Sequence, residues 1–482
     1  MHLLPILNVV GILLFVLGAA QLLPMGAALV LGESDWWVFL TSALGAMLFG
    51  GGLHLISRSA REISDKDGFA VVTLGWLAAA GAGAVPYQLS GATTRFTDAF
   101  FESMSGFTTT GATIFVDVSG LSSGILLWRS LTQWFGGMGI IVLALVILPT
   151  LGIGGMQLYK REVPGPTSEK ITPRLRDTAK ALWSVYLLIT VVEWIVLWAL
   201  GMSIFEALNH SLTTVSTGGF STRTGSVGEF ASPAITWVIT LFMALGGMNF
   251  ALHFRLLVRH GHRDAHIRNT EWRWYMGFIL LASLALTFYL VVNQSLDLGD
   301  AFTHGTFQVV SILTTTGFGT ADYMLWGAFP QMLLLIMMMI GGCAGSTAGG
   351  VKWVRVLLVF SFIRQGMIRL VHPKAIVHSR LGSVRVTEDI VSNILAFIFL
   401  YLAALVGVTL LLALDGLTLD TSLGAASSAL GNIGPGLGAV GPAENYSALS
   451  GFSKWVLLIA MLCGRLELMT VLVLFTPVLW RK

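Results

Sequence analysis

Long apolar runs, broken by short polar stretches, fill the chain from end to end. Ile125 to Leu148, Leu182 to Met202 and Ile394 to Leu414 each come close to the ~20 residues that a helix needs to cross a bilayer. Between such runs lie shorter ones, such as Asp98 to Phe107 and Asp300 to Leu313. These are too short to cross, and their length predicts helices that dip into a membrane and return. Small and hydroxyl residues follow each short run. The segments are Thr108-Thr-Thr-Gly-Ala-Thr113, Val215-Ser-Thr-Gly-Gly-Phe220, Thr314-Thr-Thr-Gly-Phe-Gly319 and Gly431-Asn-Ile-Gly-Pro-Gly436. Aligned on their fourth residue, they centre on Gly111, Gly218, Gly317 and Gly434, separated by 107, 99 and 117 residues. A recurrence of this length marks an internal repeat. Each unit reads as helix, re-entrant helix, loop and helix.

Two further apolar runs, Leu3 to Val30 and Trp36 to Ile56, precede the first unit. The expected fold is therefore an all-α polytopic membrane protein with four pseudo-symmetric units around one pore and an N-terminal two-helix segment. The expected division is 1–67 for that segment, 68–156 for the first unit, 157–262 for the second with its preceding linker, 263–371 for the third and 372–482 for the fourth.

Composition narrows the class. The chain has 482 residues, of which 55% are hydrophobic and 11% charged, against about 25% charged in soluble domains. A soluble enzyme is excluded on that ground. The first apolar run has no basic residues before it and joins a second run, so no cleavable leader is expected. All of the 28 Lys and Arg residues except Arg95, Arg129, Arg223, Lys454 and Arg465 fall into five clusters. These are Arg58 to Lys66, Lys160 to Lys180, Arg255 to Arg273, Lys352 to Arg385, and Arg481 with Lys482. The positive-inside rule puts all five clusters and both termini in the cytoplasm.

A non-helical loop at membrane depth survives only where protein buries it or where it lines a water-filled path. Four such loops at a regular period predict a shared path ringed by backbone carbonyls, which can replace the water around a cation. The carbonyl-bearing candidates are Thr109, Thr110, Gly111, Ser216, Thr217, Gly218, Thr315, Thr316, Gly317, Asn432, Ile433 and Gly434.

The repeats, with the strings Trp128-Arg-Ser-Leu-Thr-Gln-Trp-Phe-Gly-Gly-Met-Gly139, Gly341-Gly-Cys-Ala-Gly-Ser-Thr-Ala-Gly-Gly350 and Gly464-Arg-Leu-Glu467, resemble the TrkH/TrkG/KtrB superfamily of potassium transporters. The N-terminal helix pair favours the TrkH branch over the KtrB branch. The resemblance implies uptake of K+ down the membrane potential across a bacterial inner membrane. It also implies a homodimer and a cytosolic nucleotide-binding regulatory ring of TrkA type. K+ would be held at the loop carbonyls, with no organic cofactor in this chain. In related plant transporters, serine at the first glycine goes with Na+ preference, so Gly111 favours K+. No unit carries the TVGYG string of four-fold channels, and Pro435 stands in the fourth loop. Looser K+/Na+ discrimination is therefore expected. The alternative is a Na+- or H+-coupled carrier of another cation with broken helices at a midplane site.

Gly341 to Gly350 holds five glycines inside a long apolar run. Each costs a helix roughly 1 kcal/mol against alanine, so helix is not expected there. The loop, with Gly345, Ser346, Thr347, Ala348 and Gly349, reads either as a gate below the pore loops or as a kink that shapes packing. Arg465 lies in the last apolar run, about Ser453 to Trp480, where a charge is costly. It reads as a barrier below the loops or a clamp on Gly341 to Gly350, or else as half of an ion pair with another unit. Arg129 is expected to brace a re-entrant helix or to snorkel outward. Glu102 and Asp98 would attract cations or bond nearby backbone.

Other signals are bland. Gly120-Leu-Ser-Ser-Gly124 lacks the strand that a nucleophile elbow requires. His253, His260, His262 and His266 fit a basic loop facing lipid headgroups or a partner. No nucleotide-binding fingerprint follows a strand, and nothing suggests nucleic acid as a partner. The basic loops Arg255 to Arg273 and Lys352 to Arg385 are the candidate docking surface for the regulatory ring.

Overall fold

The structure, a computed structural model, describes residues 3–58, 65–139, 175–258, 269–375, 378–382 and 384–477. The end of the run that reaches Leu148, the linker basics Lys160, Arg161, Lys170 and Arg174, the histidines His260, His262 and His266, and Arg481 with Lys482 lie outside these residues.

Helices α1 (Leu3–Ala20) and α2 (Leu22–Val30) make one apolar span, and α3 (Trp36–Ile56) packs back along it. Their backbones approach closely because glycine replaces bulk at the crossing. A Cβ on Gly11 would lie 2.7 Å from the Gly50 carbonyl oxygen, and one on Gly18 would lie 2.8 Å from that of Ala43.

The first repeat is α4 (Asp65–Leu89), the short α5 (Phe96–Phe107) and α6 (Ser123–Gly137). The second is α7 (Leu175–Ala199), the short α8 (Ile204–Val215), α9 (Pro233–Gly246) and α10 (Phe250–Val258). The third is α11 (Thr270–Gln294), the short α12 (Leu298–Leu313), α13 (Ala328–Ile340) and α14 (Trp353–Val371). A two-residue hairpin, β1 (Arg380–Leu381) with β2 (Val384–Arg385), leads into the fourth. That repeat is α15 (Glu388–Leu414), the short α16 (Leu419–Gly431), α17 (Gly451–Leu466) and α18 (Leu468–Leu472).

Among the described residues, six helices are long and apolar enough to cross a membrane, and two bent pairs raise the number to eight. The chain is a multi-pass membrane protein with the expected all-α architecture. One apolar core joins α1 to repeats one and four, and a second joins repeats two and three.

The short helices are set by their ends. Each carries an acid in its first turn, Asp98, Glu206, Asp300 or Asp420, against the positive end of the helix dipole. Each stops where the next residues leave helical backbone: Thr109, Thr217, Thr315 and Asn432 all have φ between 52 and 58°.

The second helix of every repeat stops at a comparable point, at Gly137, Gly246, Ile340 and Leu466. Only the third break is expected from sequence. The pair α9 and α10 is bent by 101°, and the run read as one helix from Ser453 to Trp480 is bent by 112° between α17 and α18. There Glu467, at φ 61°, turns away and bonds Arg355 of repeat three.

Candidate functional site

The four loops meet edge to edge. A Cβ on Gly111 would lie 2.2 Å from the Gly218 carbonyl oxygen, one on Gly219 1.8 Å from that of Thr316, one on Gly317 1.8 Å from that of Ile433, and one on Gly434 2.9 Å from that of Thr110. Each glycine therefore abuts the carbonyl of the next loop, and the order one, two, three, four closes on one. All four glycines have positive φ, 79° for Gly111, 78° for Gly219, 83° for Gly317 and 104° for Gly434. Both the conformation and the close approach exclude larger residues.

This geometry moves the register of the second loop by one residue. Gly219, not Gly218, matches Gly111, Gly317 and Gly434; Gly218 matches Thr110, Thr316 and Ile433. Two adjacent glycines left the alignment ambiguous, and the backbone angle resolves it. A side-chain prop nine residues before three of the four glycines agrees. Glu102 accepts from the Ile114 amide at 2.9 Å, His210 Nε2 lies 3.0 Å from Ser221 Oγ, and Gln308 donates to the Ala321 carbonyl at 3.1 Å. In repeat four the corresponding residue is Ala425. There the hydroxyls of Ser428 and Tyr446 hold the Gly434 carbonyl, each at 2.7 Å. The Gly218 carbonyl in turn accepts from Gln133 Nε2 at 2.6 Å. The ring is closed but its four quarters are not equivalent.

The short helices α5, α8, α12 and α16 all end at the ring, so their negative ends gather there and favour a cation. Thr109, Thr217 and Thr315 occupy left-handed backbone, which costs of order 1–3 kcal/mol for each. Their neighbours keep them there.

Gly341 to Lys352 is not helical and folds against the same loops. The Thr347 hydroxyl lies 3.2 Å from that of Thr217 and 3.1 Å from the carbonyl oxygens of Val215 and Gly246. The Gly349 amide donates to Thr315 Oγ1 at 2.8 Å. A Cβ on Gly349 would fall 2.1 Å from the Gly431 carbonyl oxygen. The loop thus touches repeats two, three and four next to the ring. Arg465 bonds it: the guanidinium donates to the Thr347 carbonyl at 2.7 Å and to those of Gly136 and Gly137 at 2.6 and 2.9 Å.

The family model described as a cation transport protein, TrkH, matches residues 38–482. The chain belongs to the TrkH family. It is 41% identical to the Trk system potassium uptake protein TrkH of Salmonella typhimurium, over all of both chains. It is 35% identical to the Trk system potassium uptake protein TrkG of Escherichia coli, covering 100% of this chain and 99% of that one. The crystal structure of the potassium transporter TrkH from Vibrio parahaemolyticus superposes with a TM-score of 0.90 at 38% identity, over all of both chains. TrkH-family membership makes the chain a transport protein, not an enzyme.

Several other charges of this TrkH-family chain have structural partners. Arg129 is buried, pairs with buried Glu102 at 2.8 Å, donates to the Ser221 carbonyl at 3.1 Å and lies 4.1 Å from the centre of the Phe220 ring. It braces the first and second loops together. Glu102 bonds Arg129, the Thr113 hydroxyl and the Ile114 amide, the second of the two roles weighed for it. Asp98 pairs with Lys454 at 2.7 Å, linking repeats one and four. Lys352 and Arg355, counted from sequence with a cytoplasmic docking cluster, are buried. Lys352 Nζ donates to the Ala348 carbonyl at 2.5 Å, and Arg355 bonds Glu467. Basic spacing alone could not separate them from the exposed Arg364, Arg369, Lys374 and Arg380. Gln133 and Glu271 carry contacts to the ring and the loop that sequence reading missed. Neither has a spacing signal. Cys343 and Cys463 are free thiols.

Proposed function

We propose that this chain takes up potassium ions across the cytoplasmic membrane, through the ring and down the membrane potential. The closed cyclic contact of Gly111, Gly219, Gly317 and Gly434 with the carbonyls of the next loop carries the reading. K+ sits at the axis, where main-chain oxygens replace its water. The relatives named as potassium uptake proteins support K+ as the cargo. The unequal quarters of the ring support weaker exclusion of Na+ than a four-fold channel achieves.

The loop from Gly341 to Lys352 is the gate, held shut by Arg465 and by its bonds to Thr217 and Thr315. The chain works as a homodimer in the bacterial inner membrane with both termini cytoplasmic. A cytosolic nucleotide-binding ring of TrkA type opens it by docking on exposed basic residues such as Arg364, Lys374 and Arg380. Neutralising those three weakens ring binding and flattens its salt dependence; binding left intact would remove them from the docking surface.

Rubidium uptake into liposomes, with Na+ as competitor, tests the cargo. Wild type is expected to admit rubidium with modest Na+ competition, and Gly111→Ser to raise that competition. Uptake absent in both, or driven only by a Na+ or proton gradient, would point to a coupled carrier instead.

A further inference from the structure

The loop from Gly341 to Lys352 has two parts with different bonding. Its neck is zipped: the amides of Val351, Lys352 and Trp353 donate to the carbonyls of Met339, Ile340 and Gly342 at 3.0, 2.5 and 3.0 Å. Gly341 and Gly350 cross there so tightly that a Cβ on Gly350 would fall 2.8 Å from the Gly341 Cα. Its first leg lies along the break between α9 and α10, with Cys343 N 2.9 Å from the Gly247 oxygen and Phe250 N 3.0 Å from that of Gly345. The tip, Ser346 to Gly349, bonds the ring and Arg465 instead.

Glu271 bridges the two legs. It is the second residue of α11 and is 7% exposed. One carboxylate oxygen accepts from the Ala344 amide on the first leg at 2.8 Å and from the Val354 amide, in the first turn of α14, at 3.0 Å. A carboxylate at a helix start is favoured by the dipole, and charge-assisted bonds are roughly twice as strong as neutral ones. The two legs are therefore fixed to a third element that takes no part in the ring. The tip lies between Gly345 at φ 72° and Gly350 at φ 77°, positions that can absorb backbone rotation.

We propose that Glu271 is the positioning residue of the gate hinge: it anchors both legs of the loop to α11, so that opening moves the tip from Ser346 to Gly349 and leaves the neck in place. This rests on the loop being a gate. Without Glu271 the legs separate, the tip loses its aim and the path leaks.

Rubidium flux into liposomes lacking any cytosolic partner tests it, using E271L, E271Q, E271D, deletion of Ser346 to Ala348, and that deletion combined with E271L. Expected are a leak about tenfold above wild type for E271L and near-wild-type flux for E271Q, whose amide oxygen still accepts both bonds. The combined variant should match the deletion alone. If E271L is not recovered folded, E271D carries the test: its shorter side chain cannot span both amides and should leak. In a C463S background it should also raise the labelling rate of Cys343 on the first leg. Wild-type flux in E271L or E271D, while the deletion leaks, overturns the hinge and leaves the gate standing. A combined variant that leaks more than the deletion also overturns it, since Glu271 would then act outside the loop. No leak from the deletion would overturn the gate reading, and the hinge with it.

Discussion

In repeat two the chain leaves helix at Gly246 and resumes it at Phe250; in repeat three it leaves at Ile340 and resumes at Trp353. Both breaks use glycine and both lie against the ring loops. A Cβ on Gly247 would meet the Thr314 side chain at 2.8 Å, and one on Gly349 would meet the Gly431 oxygen at 2.1 Å. The short break only redirects its helix. The long one inserts a zipped hairpin whose tip bonds Thr217 and Thr315 of two different loops. Breaking the helix is thus common to the repeats, and reaching the ring from below requires the extra residues and the glycine crossing at Gly341 and Gly350. Repeat two also serves repeat three, because Gly247 and Phe250 offer the backbone edge on which the hairpin's first leg rests.

That contrast can be broken at several points. Deleting Ser346 to Ala348 removes the Arg465, Thr217, Val215 and Gly246 contacts together. At about 1 kcal/mol for a neutral hydrogen bond and more for the charged ones, flux without the partner should rise by well over tenfold. Unchanged flux in folded protein would make the hairpin a packing feature, like the break in repeat two. Arg465→Ala deletes the charge-assisted bonds alone, each worth ~1.5–3 kcal/mol, and should raise the same leak by about tenfold. If the leak does not change, Arg465 is not the clamp.

A smaller effect separates Gly219 from Gly218. Alanine at Gly219 faces a left-handed backbone costing ~1–2 kcal/mol and the Thr316 oxygen at 1.8 Å, whereas at Gly218 it meets the Gln133 side chain. Gly219→Ala should lose rubidium selectivity over Na+ several-fold, and Gly218→Ala should lose less. The opposite order would restore the register read from sequence. The mildest is Gly247→Ala, whose Cβ meets the Tyr275 hydroxyl at 2.6 Å. It should lower the melting temperature by a few degrees without a leak, and a leak as large as that of Arg465→Ala would erase the distinction between the two breaks.

The repeats were legible because length and glycine position are written in one dimension. A short apolar run that ends in small and hydroxyl residues is too short to cross a bilayer. The hairpin was legible for the same reason, since glycine density alone forbids helix between Gly341 and Gly350. The register of loop two was not, because Gly218 and Gly219 are identical residues that differ only in φ. The bend after Leu466 was not, because the residue that turns is Glu467 and not the nearby Gly464, and it does so while bonding a residue of another repeat. Lys352 and Arg355 show the same limit. Their types are plain in the sequence, but their buried partners belong to other elements and become visible only when the chain is folded.

The claim on which all of this depends is that a cation rests on the axis bounded by the carbonyls of Thr110, Gly218, Thr316 and Ile433. A crystal grown with rubidium and measured at its absorption edge should show an anomalous peak there, and the peak should weaken in Gly219→Ala. Rubidium found only away from the ring, or an axis empty of it in protein that still takes up the ion, would contradict the account.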